Sequence, residues 1–168
     1  MSEILKYGVA FLIYLFFQVF LFTDLVLFQL ATPFIFLLFL FMLPVDTPIP
    51  LQYVIAFVLG LLVDVLTTPQ AIGLHAFSCL LAVGARSRLL PIIGTSQMRH
   101  VQELDLKSQN STWYITFLLP LIFIHHLAYF FLEDFTFQYF FHTLLKVISS
   151  TIYTFIICYL LTHLFYKK

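Results

Sequence analysis

Charge is scarce in this sequence: Lys, Arg, Asp and Glu together supply 10% of its 168 residues. A soluble domain typically carries about a quarter of its residues charged, so a water-facing surface of ordinary composition is excluded. Glycine is scarce as well, at five residues. None lies in a phosphate-cradling loop or a Gly-x-Ser-x-Gly elbow, and His-Glu-x-x-His is also missing, so the common signatures of nucleotide binding and hydrolysis are absent. The two cysteines, Cys79 and Cys158, both fall inside apolar runs. That position argues against a disulfide and leaves them as small packing residues. Formal net charge is zero, which by itself suggests neither nucleic acid nor an acidic partner.

What is abundant is apolar: 62% of residues are hydrophobic and 22 are phenylalanine. The runs are long enough to cross a hydrocarbon core of about 30 Å as helices, and they are continuous rather than alternating, which excludes a barrel. The expected fold is an all-α integral membrane protein, a single domain of six transmembrane helices at about residues 7–22, 31–43, 51–66, 71–88, 113–132 and 139–163. The first run has no small-x-small cleavage site after it and reads as a retained span. Residues 23–30 read as an interfacial elbow before Pro33. Prolines 44, 48 and 50 set the next connection and Thr67–Gln70 a further one. The long connection, about 89–112, follows Arg86 and Arg88, whose side chains are expected to snorkel and lengthen the fourth span.

Orientation follows from the basic residues. With the N-terminus inside, Lys6, Arg86, Arg88, Arg99, Lys107, Lys167 and Lys168 share the cytoplasmic side, while Asp24, Glu133 and Asp134 face out. This is the positive-inside distribution, with both termini in the cytoplasm.

Ala56, Gly60 and Asp64 recur at intervals of four and so form one stripe on the third helix, where small residues permit close approach of another helix, either of this chain or of a partner. Asp64 is the conspicuous member, because an intramembrane carboxylate faces the bundle interior and needs partners. Gly73, just after the proline turn, lets the fourth helix lie against the third, with Asp64 capping or bracing the hairpin. By depth, Asp64, His75, His125, His126, His142 and Lys146 share the outer half and could line a polar pocket. Lys146 either snorkels to the outer surface or pairs with Asp64. No His-x-x-x-His or Glu-x-x-His pair supports a metal, and neither metal nor other cofactor is expected.

The pattern Gly60-x-x-x-Asp64, a short turn and then Ile72-Gly73-Leu74-His75-Ala76 resembles the signature hairpin of the rod shape-determining protein MreD family. The preceding ATPFIFLLFLFMLPVDTP and QVFLFTD are similar to that family too, and the resemblance spans about residues 12 to 94. It implies a non-enzymatic scaffold of the bacterial cell-elongation machinery in the inner membrane. Its partner would be a single-pass MreC-like protein, with actin-like MreB and the wall-synthesis enzymes engaged indirectly in directing lateral peptidoglycan synthesis. It also implies a six-helix architecture like the substrate-binding subunits of energy-coupling-factor transporters. The alternative function is therefore the substrate-binding subunit of a small-solute transporter.

Overall fold

A computed structural model describes residues 3–93, 114–135 and 138–166. Helix α1 (Glu3–Phe17) runs on through a π-helical turn, Gln18–Phe22. There follow α2 (Phe36–Phe41), α3 (Ile49–Thr67), α4 (Leu74–Ile93), α5 (Leu119–Asp134), entered through a second π turn at Tyr114–Leu118, and α6 (Phe140–Tyr166). Most of the expected long connection, and Trp113 at the start of the fifth expected span, lie outside the described residues.

Among the described residues, five helical stretches are long and apolar enough to cross a membrane: Leu5–Phe22, Ile49–Thr67, Leu74–Ile93, Tyr114–Asp134 and Phe140–Leu164. The chain is a helical, multi-pass membrane protein. Helices α3 to α6 pack each against the next, and α1 lies to one side against α2 and α3. Pro50 falls in the first turn of α3, where its missing N–H costs nothing. Helix α4 is described as far as Ile93, past the expected 88, with Pro91 inside it.

The expected second span at 31–43 does not form a spanning helix. Only six of its residues, Phe36–Phe41, are helical, and all six are buried in the centre of the bundle. Extended and turn backbone at membrane depth persists only where protein groups satisfy its hydrogen bonds. Here Gln18 does so from the π turn that continues α1: its Nε2 donates to the Pro33 carbonyl at 3.2 Å and its Oε1 accepts from Ile35 N–H at 2.8 Å. From α6, the Ser150 and Thr154 hydroxyls accept from Thr32 N–H and Phe34 N–H at 3.0 and 3.1 Å. At the other end of α2, Arg86 donates to the carbonyls of Phe41 and Leu43 and to the side-chain oxygen of Gln52. Arg86 therefore turns inward and is fully buried, not snorkelled, because α2 ends with open carbonyls inside the bundle.

The stripe on α3 is filled from within the chain. A Cβ on Gly60 would lie 2.6 Å from the Ala76 Cα and 2.8 Å from the His75 carbonyl carbon, so α4 backbone rests directly on that position. Ala56 is fully buried in the same core. Gly60→Ala is expected to push α4 off α3 and cost about 1–3 kcal/mol. Thermal unfolding in detergent checks this, with Gly8→Ala as the control, since a Cβ at Gly8 meets nothing within 4 Å.

Candidate functional site

The hairpin of α3 and α4 closes around Asp64, which is fully buried. Its Oδ2 accepts from Gly73 N–H at 3.0 Å and Ala76 N–H at 3.1 Å, and its Oδ1 accepts from His75 N–H at 2.9 Å. The first turn of a helix leaves N–H groups without intrahelical acceptors, and it carries the positive end of the helix dipole. A carboxylate there makes short, charge-assisted bonds. Asp64 thus caps α4 from the last turn of α3, eleven residues before His75 in the chain. Gly73 makes the geometry possible with φ at +107°, a region that side chains disfavour; a Cβ there would meet nothing within 4 Å, so the close approach of α4 to α3 expected at Gly73 falls at Gly60 instead.

Phe34, from the irregular entry to α2, packs against three imidazoles. Its ring centroid lies 4.6 Å from His75, 5.6 Å from His125 and 4.9 Å from His126. His75 and His125 stack at 5.5 Å, and Tyr129 stacks on His75 at 4.2 Å. His126 has a structural assignment. Its Nδ1 sits 2.8 Å from the Ile122 carbonyl and so carries the proton, while Nε2 accepts from the Thr154 hydroxyl at 3.2 Å. Since Thr154 also receives Phe34 N–H, this chain of bonds ties α5, α6 and the α2 entry together. His75 Nδ1 and both nitrogens of His125 are buried without a hydrogen-bond partner. Among the described residues, no group of three or more His, Cys, Asp or Glu side chains is placed to hold a metal ion.

Lys146 does not pair with Asp64. It forms an ion pair with Glu133 at the end of α5, and its Nζ lies 4.6 Å from the Phe130 ring centroid. Asp64 cannot serve it, since that carboxylate already holds the α4 N-terminus. Tyr129 donates to the other oxygen of Glu133 at 3.4 Å, and the Thr143 hydroxyl donates to Asp134. A cavity of about 190 Å³ opens beside the pair, at the end of the bundle that carries the α3–α4 and α5–α6 connections. Of the six residues expected to line an outer polar pocket, His75 and Lys146 line this cavity; Asp64, His125 and His126 lie buried outside its lining, and His142 is exposed on the first turn of α6.

Two residues that organise the interior, Gln18 and Gln52, went unassigned in the sequence; Arg86 was expected to snorkel and is buried instead, and Glu133, expected only to face outward, is the partner of Lys146. Gln18 and Gln52 each stand in an apolar run, which in a membrane helix marks an inward-facing amide. Arg86 and Arg88 are two residues apart and so point to nearly opposite sides of α4; the structure buries Arg86 and exposes Arg88.

Comparison with protein-family models, with curated proteins and with solved structures finds no match.

Proposed function

We propose that this chain is a non-enzymatic scaffold of the bacterial cell-elongation machinery, embedded in the inner membrane with both termini in the cytoplasm. It holds a single-pass MreC-like partner and, with actin-like MreB and the wall-synthesis enzymes, helps direct lateral peptidoglycan synthesis. One observation carries the reading: the residues of the MreD-like motif form a single closed structural unit. Asp64, the residue best suited by position to intramembrane proton chemistry, has its carboxylate oxygens taken up by three backbone N–H groups of α4. A carboxylate engaged in this way acts as a brace. The distribution of charge supports the orientation, since Lys6 and Arg88 lie towards one end of the bundle and Asp24, Glu133 and Asp134 towards the other.

The small-residue stripe is covered by α4, so the partner's helix docks elsewhere on the lipid-facing surface. The cavity beside Glu133 and Lys146 favours the second reading, a substrate-binding subunit of a small-solute transporter. In-membrane crosslinking of the tagged protein, with mass spectrometry of what co-purifies, separates the two. A single-pass protein with a large outer domain, recovered with wall-synthesis enzymes, is the expected result. ATPase subunits with a long membrane coupling protein would overturn the scaffold.

A further inference from the structure

We propose that the cavity at the Glu133–Lys146 pair is a binding site for a zwitterion with a primary ammonium group, its anionic group at Lys146 and its ammonium at Glu133. The inference does not depend on the scaffold reading, because it rests only on the chemistry of the cavity wall.

Both charges are presented at the cavity while remaining partly open: the side chains of Lys146 and Glu133 are 24% and 33% exposed. A ligand carrying both signs can therefore insert between them and exchange one ion pair for two. A ligand of one sign can only compete with the existing bridge. The hydroxyls in the wall sharpen the choice. Thr23 Oγ donates to the Gln18 carbonyl at 2.9 Å, Thr67 Oγ to the Val63 carbonyl at 2.8 Å and Thr68 Oγ to the Asp64 carbonyl at 3.4 Å. With their protons committed, these three oxygens offer lone pairs, so a ligand group that reaches them must donate. A primary ammonium has three N–H groups to give, whereas a quaternary ammonium has none.

His75 adds a further polar group. It lines the cavity, is 2% exposed and keeps Nδ1 without a partner. A buried polar atom left in that state calls for an occupant or a water. Phe34, Tyr129 and Phe130 supply the apolar part of the wall. A volume of about 190 Å³ suits a headgroup or an amino acid and is small for a nucleotide.

Two sources share this chemistry. One is the headgroup of phosphatidylethanolamine, with its phosphate and primary ammonium; the other is a free amino acid. The cavity lies at the helix ends, where Phe28, Phe135 and Phe141 are almost fully exposed.

The test uses the full chain purified in maltoside detergent. Native mass spectrometry and thermal unfolding are recorded with added phosphatidylethanolamine, phosphatidylcholine, phosphatidylglycerol or free leucine. The expected result is retention of phosphatidylethanolamine or leucine at least about tenfold tighter than phosphatidylcholine or phosphatidylglycerol, with about tenfold weakening in Glu133→Gln and in Lys146→Met. An exposed ion pair contributes little to folding, so both variants remain folded, which their unchanged unfolding in ligand-free detergent verifies. Retention of phosphatidylethanolamine that leucine does not displace assigns a lipid headgroup. Displacement by leucine assigns a soluble amino acid. Equal retention of all lipids without leucine binding, no retained zwitterion, or zwitterion binding unaffected by both substitutions would overturn the proposal.

Discussion

Asp64→Ala is expected to destabilise the chain by roughly 3–5 kcal/mol, because it strands three N–H groups in the bundle interior and each unsatisfied buried donor costs about 1–3 kcal/mol. Part of that cost is recovered as the turn relaxes. Against the ~5–15 kcal/mol that holds a typical domain together, the loss is large enough to lower yield as well as unfolding temperature. Asp64→Asn is expected to fall between the native chain and alanine. Its single amide oxygen can replace either Oδ1, which serves His75 N–H, or Oδ2, which serves Gly73 and Ala76, but not both. Maleimide labelling provides a local readout. Cys79 is buried one turn beyond His75 on α4, so a loosened hairpin exposes its thiol and accelerates its modification. Mass spectrometry separates that signal from Cys158. A labelling rate and unfolding temperature unchanged in Asp64→Ala would remove the bracing role.

The hairpin was legible in the sequence because each of its residues breaks a local rule. A carboxylate in an apolar helix needs a partner and a glycine at four-residue spacing needs a close neighbour, and both needs are met at one place. Gly73 was legible as a special position but for another reason than expected: it serves the turn through its φ and not through close helix contact. The second apolar segment was not legible, since an apolar run reports burial without distinguishing a spanning helix from a six-residue helix flanked by irregular chain. The information lay elsewhere: Gln18, Ser150 and Thr154 supply the hydrogen bonds that a continuous helix would have made itself. The outer polar layer was only partly readable. Depth put His75 and Lys146 in one layer, and both line the cavity, but the facing of α5 against α6 decides that Glu133, not Asp64, meets Lys146. That facing comes from packing and leaves no periodic mark in either helix alone.

Arg86 supports the second large prediction, because counting basic residues near span ends treats every arginine as a surface charge. Its guanidinium instead serves three acceptors at once: the Phe41 carbonyl from Nε at 3.1 Å, the Gln52 side chain from Nη1 at 2.7 Å and the Leu43 carbonyl from Nη2. Gln52 in turn donates to the Thr47 carbonyl at 2.7 Å, so the same arginine steadies the entry to α3. Arg86→Ala removes all three donors and leaves a void the size of the side chain, for an expected loss of about 3–5 kcal/mol from stranded acceptors and the cavity together. Arg86→Lys keeps the charge but not the planar fork, and its ammonium cannot match the three directions together. Lysine is therefore expected to restore only part of the loss, whereas a purely electrostatic role would let it restore nearly all. Thermal unfolding of the native chain and both variants in the same detergent decides between them. Equal stability of Arg86→Lys and the native chain would show that α2 needs a positive charge at its end and not the arginine geometry.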